Sequence, residues 1–546
     1  VTLDVHAQLP PDADASVSSG DDAPVAEPGA VEDAGVSEPT ADASIEDTET
    51  VEATGAEDAP PATDAPEDDD GWGQDADGVG FAEATAAETA PEIADGELSA
   101  PRPLSASGFL RSDVGFWSER LKSRPIAQLR RSFDGTVYYR EGVLRLQLGL
   151  HAEADGAYLI DRSEFDQATL DAYQSQVYLR ESHAALSFDA LDITFGKQIV
   201  AWGEGDVISP LDVVNPRDMR EPGLADLDDL RLPVLSTRVG VFAGYHRFEA
   251  MLIHEAYFGL LSPPRGPFSP LPAVIDASGG LPEGSLEGAV FDSLELSYRH
   301  TPERYSLDAQ QLLARWVYKG PGLDTALYAG SVRDQQGVLV GGRVTEVLTF
   351  DLDDPLGARL ENRLAIEQRH PRYTMVGHSG AVPWSDFLFK WELYGNLARS
   401  FNVRADPADN LLFGVDVEKR SAVGGMLSAT YAGITDTRIF VEFGKAWLVS
   451  GAGDVLFPFE APNLAVRAHH EQLAGDLTFD AAWTAMGWQA EYGWLGRAEV
   501  GYKFYEAMRV AVGYITYQPG SELSFLSAFG RHDRLFFKYR WDFSVS

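Results

Sequence analysis

The last twelve residues constrain the fold more than any other stretch. Leu535, Phe537, Tyr539, Trp541, Phe543 and Val545 share one parity; Phe536, Lys538, Arg540, Asp542, Ser544 and Ser546 share the other. Side chains of a strand point alternately to its two faces, so this run puts six large apolar groups on one side. On the edge of a soluble sheet that face would recruit other chains. Against lipid it is satisfied. Residues 143–155 repeat the pattern, with Leu144, Leu146, Leu148, Leu150, Ala152 and Ala154 opposite Arg145, Gln147, Gly149, His151, Glu153 and Asp155. Alternation over about ten residues is the length of a tilted membrane strand, whereas ordinary strands run to about 5–6.

Weaker runs of the same kind follow. Residues 177–188 and 191–201 read as a hairpin around Asp189 and Ala190, and 239–245 and 248–257 as a second. Residues 290–299 and 305–318 read as a third, turning at Thr301, Pro302 and Glu303. Strands are also predicted at 108–117, 343–352, 387–393, 423–431, 438–449, 477–488, 497–504 and 510–514. Short helical turns are predicted at 224–230 and 469–477. No continuous apolar run reaches the roughly 18 residues that a membrane helix needs. The fold class is therefore all-β: a transmembrane antiparallel β-barrel of about 16 strands.

Charge divides the chain in two. Residues 1–100 hold 28 Asp and Glu and no Lys or Arg; the rest holds 57 acids and 43 bases, so it carries only −14 of the net −42. A segment of Ala, Asp, Glu, Pro and Thr cannot bury enough surface to offset its ordering entropy. Residues 1–103 are predicted to be disordered, and 104–546 to form the barrel. Trp72 and Phe81 read as stray aromatics or a short docking element. Val5-His6-Ala7-Gln8 resembles the end of a signal-peptide cleavage site. Cysteine is absent, which excludes disulfides and thiolate metal sites. The acidic balance argues against nucleic-acid binding.

The hairpin at 177–201 runs into a long loop, 203–233. Short turns on one side and long loops on the other characterise membrane barrels. Trp202-Gly203-Glu204-Gly205 reads as a loop anchor or as an interfacial tryptophan beside a turn. Asn215-Pro216-Arg217-Asp218 reads as a rigid turn, with Arg217 and Asp218 facing the passage or joined in a salt bridge. Between Asp206 and Asp229 lie six Asp and one Glu, Asp212 among them, against Arg217 and Arg220. Their spacing is not that of a calcium loop, and a solvated acidic loop is the simpler reading. Arg145, Arg180, Lys197, Arg238, Arg299, Arg497, Lys538 and Arg540 fall on or near polar strand faces, where they tune conductance or form an ion-pair lattice.

Arg180-Glu181, Phe195-Gly196-Lys197-Gln198-Ile199-Val200-Ala201-Trp202-Gly203-Glu204, Val213-Val214-Asn215-Pro216-Arg217-Asp218 and Leu232-Pro233 together resemble a domain-of-unknown-function family of proteobacterial outer-membrane barrels. The resemblance covers roughly residues 177–260, with Lys197 where the family pattern suggests Arg. It implies location and barrel type. Genes of that family often lie near transporters of the resistance-nodulation-division type and a companion envelope lipoprotein.

The expected function is an outer-membrane porin-like channel or conduit of a Gram-negative bacterium, passing a small or amphipathic solute and narrowed by the loop. The alternative is a non-conducting accessory or scaffold barrel whose acidic segment binds a periplasmic partner of an envelope transport system. Expected partners are outer-membrane lipid and the assembly machinery, which would read the final strand. Neither cofactor nor metal is expected, His469-His470 lacking ligand spacing. Gly377-His378-Ser379-Gly380-Ala381 approaches a nucleophile-elbow pattern but ends on Ala and lacks a strand-turn-helix context. No enzymatic activity is expected.

Overall fold

A computed structural model describes residues 103–545 apart from 161, 226, 278–290, 292–293, 350–358, 406–414 and 452. All but the last residue of the segment read as 1–103, Trp72 and Phe81 included, lies outside the described residues, as does Val5–Gln8.

The first half of the chain contributes β1 (Leu104–Trp117), β2 (Ile126–Glu141), β3 (Leu144–Asp155), β4 (Ser175–Phe188), β5 (Leu191–Gln198), β6 (Val234–Ala243), β7 (His246–Ile253) and β8 (Glu295–Thr301). Next come β9 (Gln311–Gly320), β10 (Leu323–Arg333), β11 (Val338–Thr349), β12 (Arg359–Arg369), β13 (Arg372–Trp384) and β14 (Phe387–Arg404). The series ends with β15 (Val415–Ile434), β16 (Thr437–Leu448), β17 (Asn463–Gln472), β18 (Leu477–Met486), β19 (Gly493–Tyr505), β20 (Met508–Pro519) and β21 (Arg534–Val545). Eighteen of these form one antiparallel sheet that closes where β1 pairs with β21, Ala106 opposite Val545 and Trp117 opposite Arg534. Closure leaves no edge, so every wall strand has partners on both sides.

The alternation that predicted β3 and β21 is the wall itself. Leu146, Leu148 and Leu150 are exposed on the outside, while His151, Glu153 and Asp155 are buried inside. On β21, Leu535, Phe537, Tyr539 and Trp541 face out and Phe536 faces in. Links such as Gly244-Tyr245 and Thr435-Asp436 are short, and Gly244 and Asp436 take the left-handed φ (58° and 53°) that tight hairpins require. Tyr245, Trp384, Phe387, Tyr505 and Trp541 lie exposed near this short-turn end, the placement of an interfacial aromatic belt. The opposite end carries the long connections, 156–174, 199–233, 254–310 and 334–371 among them.

Two sequence expectations fail here. Residues 295–301 do not form a hairpin with the strand that follows. β8 instead pairs in parallel with β12, which pairs with β11, in a separate three-stranded sheet. This small sheet packs through Leu296, Leu364 and Ile366 on Leu271, Val274, Val415 and Leu456. A half-buried strand outside the membrane has the same period of two as a wall strand, so the pattern could not separate them. Residues 469–477 are not helical either; they are the end of β17, a turn and the start of β18. The other predicted helix exists, as α3 (Leu227–Leu230), after α1 (Ala157–Ile160) and α2 (Gln167–Tyr173).

Candidate functional site: the loop inside the barrel

Loop 199–233 turns inward, and side chains on the inner face of the wall hold it. A single residue organises it. Asn215, fully buried, accepts from Val200 N (2.7 Å) through Oδ1 and donates through Nδ2 to Gln198 O (3.0 Å) and Leu232 O (2.9 Å). These three bonds tie the outgoing and returning stems together. The loop therefore makes two excursions, lobe one before Asn215 and lobe two after it.

Lobe one lies against β7, β9, β10 and β13–β16. Val200, Trp202, Leu211 and Val214 pack with Met251, Leu313 and Met375. The Trp202 ring sits 5.3 Å from that of Tyr328. Two wall carboxylates then take the lobe's backbone. Glu392 on β14 accepts from Glu204 N (2.6 Å), Gly205 N (2.8 Å), Ser209 Oγ (3.0 Å) and Leu211 N (2.9 Å). Glu442 on β16 accepts from Asp206 N (2.7 Å), Val207 N (2.9 Å) and Ile208 N (2.7 Å). Gly203 makes this approach possible. Its φ of 89° suits glycine, and a Cβ there would stand 2.4 Å from Glu392 Oε1. Burial pushes the Glu204 carboxyl above its ordinary value, with Lys390 acting against that, and its side chain accepts from Ser379 Oγ at 3.3 Å.

Lobe two lies against β1–β4 and β19–β21 and is held by ion pairs. Glu221 meets Arg130 Nη2 (2.7 Å) and Arg534 Nη1 (2.8 Å). Arg220 Nη2 reaches Glu153 at 2.8 Å, and Asp229 accepts from Arg180 (3.2 Å) and from Arg111. Arg497 donates to Gly223 O and Leu224 O, both at 3.3 Å. Two other loops join lobe two: Tyr173 Oη donates to Arg220 O (2.9 Å), and Met219 N donates to Leu260 O (2.8 Å).

The sequence-predicted residues fall as follows. Trp202 is buried in the lobe-one core, and Asn215 is the tie between the stems. Arg217 pairs with Asp212 at 2.9 Å, which Arg231 shares at 3.0 Å, and Asp218 pairs with Arg220 Nε at 2.9 Å. Among the wall cations, Arg180 meets Asp134 and Asp229, Lys197 meets Glu255, and Arg238 lies 4.0 Å from Glu249. Lys538 lies 3.7 Å from Glu499, Arg540 2.8 Å from Asp542, and Arg145 bonds Ser187 Oγ. Five of these six thus sit beside a carboxylate, the ion-pair arrangement. Gly377–Ala381 is a stretch of β13 and not an elbow; Ser379 is fully buried against Tyr328 Oη (3.0 Å). His469 lies on β17, not in a loop, 2.8 Å from Asp480. Sequence reasoning missed the anchoring roles of Glu392, Glu442, Glu221, Arg130 and Arg534. A usable signal was present for Glu392, an acid on the polar parity of a wall strand.

A histidine pair ties the connections at the long-loop end. His370 Nδ1 donates to Asp334 O (2.7 Å), so its Nε2 accepts from His300 Nδ1 (3.0 Å), and the Phe258 ring stacks 3.4 Å above His370. Burial pushes the His370 imidazole down to about 3 and lowers His300 as well. Below about pH 6.5 the unfolded chain binds protons that the folded pair does not. The contact's stability is therefore complete above that value and falls as pH drops toward 3. Amide exchange around residues 254–260, corrected for intrinsic rates, is expected to rise between pH 7 and pH 4 in the wild type. His370→Gln should flatten that response; an unchanged response would remove His370 as its source.

A closed 18-stranded antiparallel barrel with an apolar outer face, an aromatic belt and a charged interior is the architecture of an outer-membrane protein of Gram-negative bacteria. Residues 130–243 match the model of a family described as Protein of unknown function (DUF1302). No curated protein matches the chain. Among solved structures, the outer membrane protein opdK from Pseudomonas aeruginosa aligns with a TM-score of 0.43 at 10% identity, covering 81% of this chain and 99% of that one. OccK8 (OprE) from Pseudomonas aeruginosa gives 0.44 at 9% identity over 81% and 98%. A loop L8 deletion mutant of OmpT, an outer membrane protein of Vibrio cholerae, gives 0.32 at 14% identity over 81% and 99%.

Proposed function

We propose that the chain is a porin-like outer-membrane channel that passes a small or amphipathic solute, with loop 199–233 narrowing its passage. The observation that carries this reading is the two-lobed loop held against inner walls on both sides of the barrel. In it, Trp202 and Asn215 anchor the loop, and Glu204, Asp212, Arg217 and Asp218 lie along the constriction. Arg145, Arg180, Lys197, Arg238, Lys538 and Arg540, interspersed with acids, tune ion selectivity. The test is single-channel conductance in planar bilayers. A chain lacking residues 206–229 is expected to conduct several-fold more than the full chain. Equal conductance would remove the loop as the constriction.

A second reading is favoured by the hydrogen bonds that link loops 156–174, 199–233 and 254–310 to one another. Loops tied together in this way suit a non-conducting accessory barrel of an envelope transport system, with residues 1–103 binding a periplasmic partner. Co-purification with and without residues 1–100 separates the two. A partner lost on truncation supports the accessory barrel, and an open pore without a partner rejects it.

A further inference from the structure

The two lobes are held by different chemistry. Lobe two has ion pairs spread over several strands. Lobe one presents seven donors, six of them backbone N–H groups, to only two wall carboxylates. An ionised carboxylate has about four acceptor positions, and hydrogen bonds to it are stronger than those between neutral groups. Glu392 takes four donors, three at Oε1 and one at Oε2, and Glu442 takes three. The segment itself carries Glu204 and Asp206, and Lys390 Nζ on β14 lies 3.3 Å from the Asp206 carboxylate. The rest of the contact is shape. The wall has hollows at Gly377, where a Cβ would stand 2.2 Å from Leu211 Cδ2, and at Gly444, where it would stand 2.7 Å from Ile208 Cγ2.

We propose that Glu392 and Glu442 are the positioning residues that hold residues 203–211 across the passage, so that this lobe is released when the two carboxylates lose their acceptor capacity. The proposal rests on the reading of the barrel as a channel narrowed by this loop. Glutamine is the informative replacement because it keeps the size. It leaves one carbonyl oxygen and turns the other arm into a donor facing N–H donors, so the pins fail without opening a cavity. Lobe two keeps its ion pairs, and Asn215 keeps the stems joined, so the release is confined to lobe one.

The experiment uses the full chain refolded into planar bilayers, with heat-modifiable migration on gels confirming a folded barrel. The E392Q/E442Q variant is expected to show at least twofold higher unitary conductance with added flicker. E442Q alone, which leaves the four bonds to Glu392, should show a smaller rise and serves if the double variant does not fold. A tether separates positioning from a general weakening of the wall. A Cβ on Gly444 would lie 3.9 Å from Ile208 Cβ, close to the mean of about 3.8 Å for a disulfide. The native chain has no cysteine, so I208C/G444C forms a single defined bridge. Added to the glutamine variant, the oxidised bridge should return conductance to the wild-type value, and reductant should raise it again.

Folded glutamine variants with wild-type conductance and noise would overturn the proposal, as would an oxidised bridge that leaves conductance raised. If the chain lacking 206–229 conducts more while the glutamine variants do not, the pins are rejected and the channel reading stands. If that deletion changes nothing, the loop is not the constriction and the proposal falls with that reading.

Discussion

Replacing Glu221 with alanine is expected to destabilise the folded barrel by about 3–5 kcal/mol, the range for removing one partner of a buried ion pair. Glu221 lies between Arg130 and Arg534, and Arg534 is fully buried, its guanidinium 4.4 Å from the Trp117 ring and 5.2 Å from that of Phe268. Arg130 keeps Glu153 and Asp155 nearby. Arg534 keeps its aromatic contacts but loses the Glu221 carboxylate. Urea unfolding in lipid vesicles, followed by tryptophan fluorescence, measures the difference; a loss below about 1 kcal/mol would show that lobe two does not depend on this pair. The same group gives an acid limit. Burial alone would raise the Glu221 carboxyl, but Arg130 and Arg534 outweigh it and hold it at about 2. Its contribution is therefore complete above the unfolded value, near 4.5, and disappears as pH falls toward 2. Glu221→Ala should lack that part of the acid response.

Asn215→Ala is the second large effect. It leaves the N–H of Val200 and the carbonyls of Gln198 and Leu232 without the partner that joins them. Each buried group left unsatisfied costs about 1–3 kcal/mol, so a loss of about 3 kcal/mol or more is expected. Asn215→Asp distinguishes this from a packing effect. Aspartate keeps the shape and the acceptor for Val200 N but points a carboxylate oxygen at two carbonyls, so it should be worse than alanine. If aspartate is milder than alanine, the tie is not the reason Asn215 matters.

Much of the wall was legible because lipid is a strict solvent. β3 and β21 must keep one parity apolar, and no local contact can excuse a lapse. β2 carries Arg130, Arg131 and Asp134 within its strand, and β13 carries Gly377, His378 and Ser379, so both escape a search for apolar alternation. β8 alternates for a different reason, burial through Leu296 against a loop cluster, and mimics the wall. The loop was legible as a loop from its Gly, Pro, Asn and Asp content, and Asn215 and Trp202 stood out within it. Its anchors did not. A glutamate such as Glu392 on the polar parity of a strand looks the same whether it faces water or four donors from a segment about 180 residues earlier. Only the closed fold brings Glu392 to Gly205, or Glu221 to an arginine on the final strand.

The tie at Asn215 also has a consequence for how such a barrel can be altered. Because both stems are fastened at one point, each excursion is a self-contained insert with fixed ends. Residues can be added to or removed from one insert without shifting the register of β5 and β6 or the seating of the other insert. The seating of the first excursion and the charge of the arginine-rich side that holds the second are therefore separate adjustments, each open to redesign from its own part of the wall.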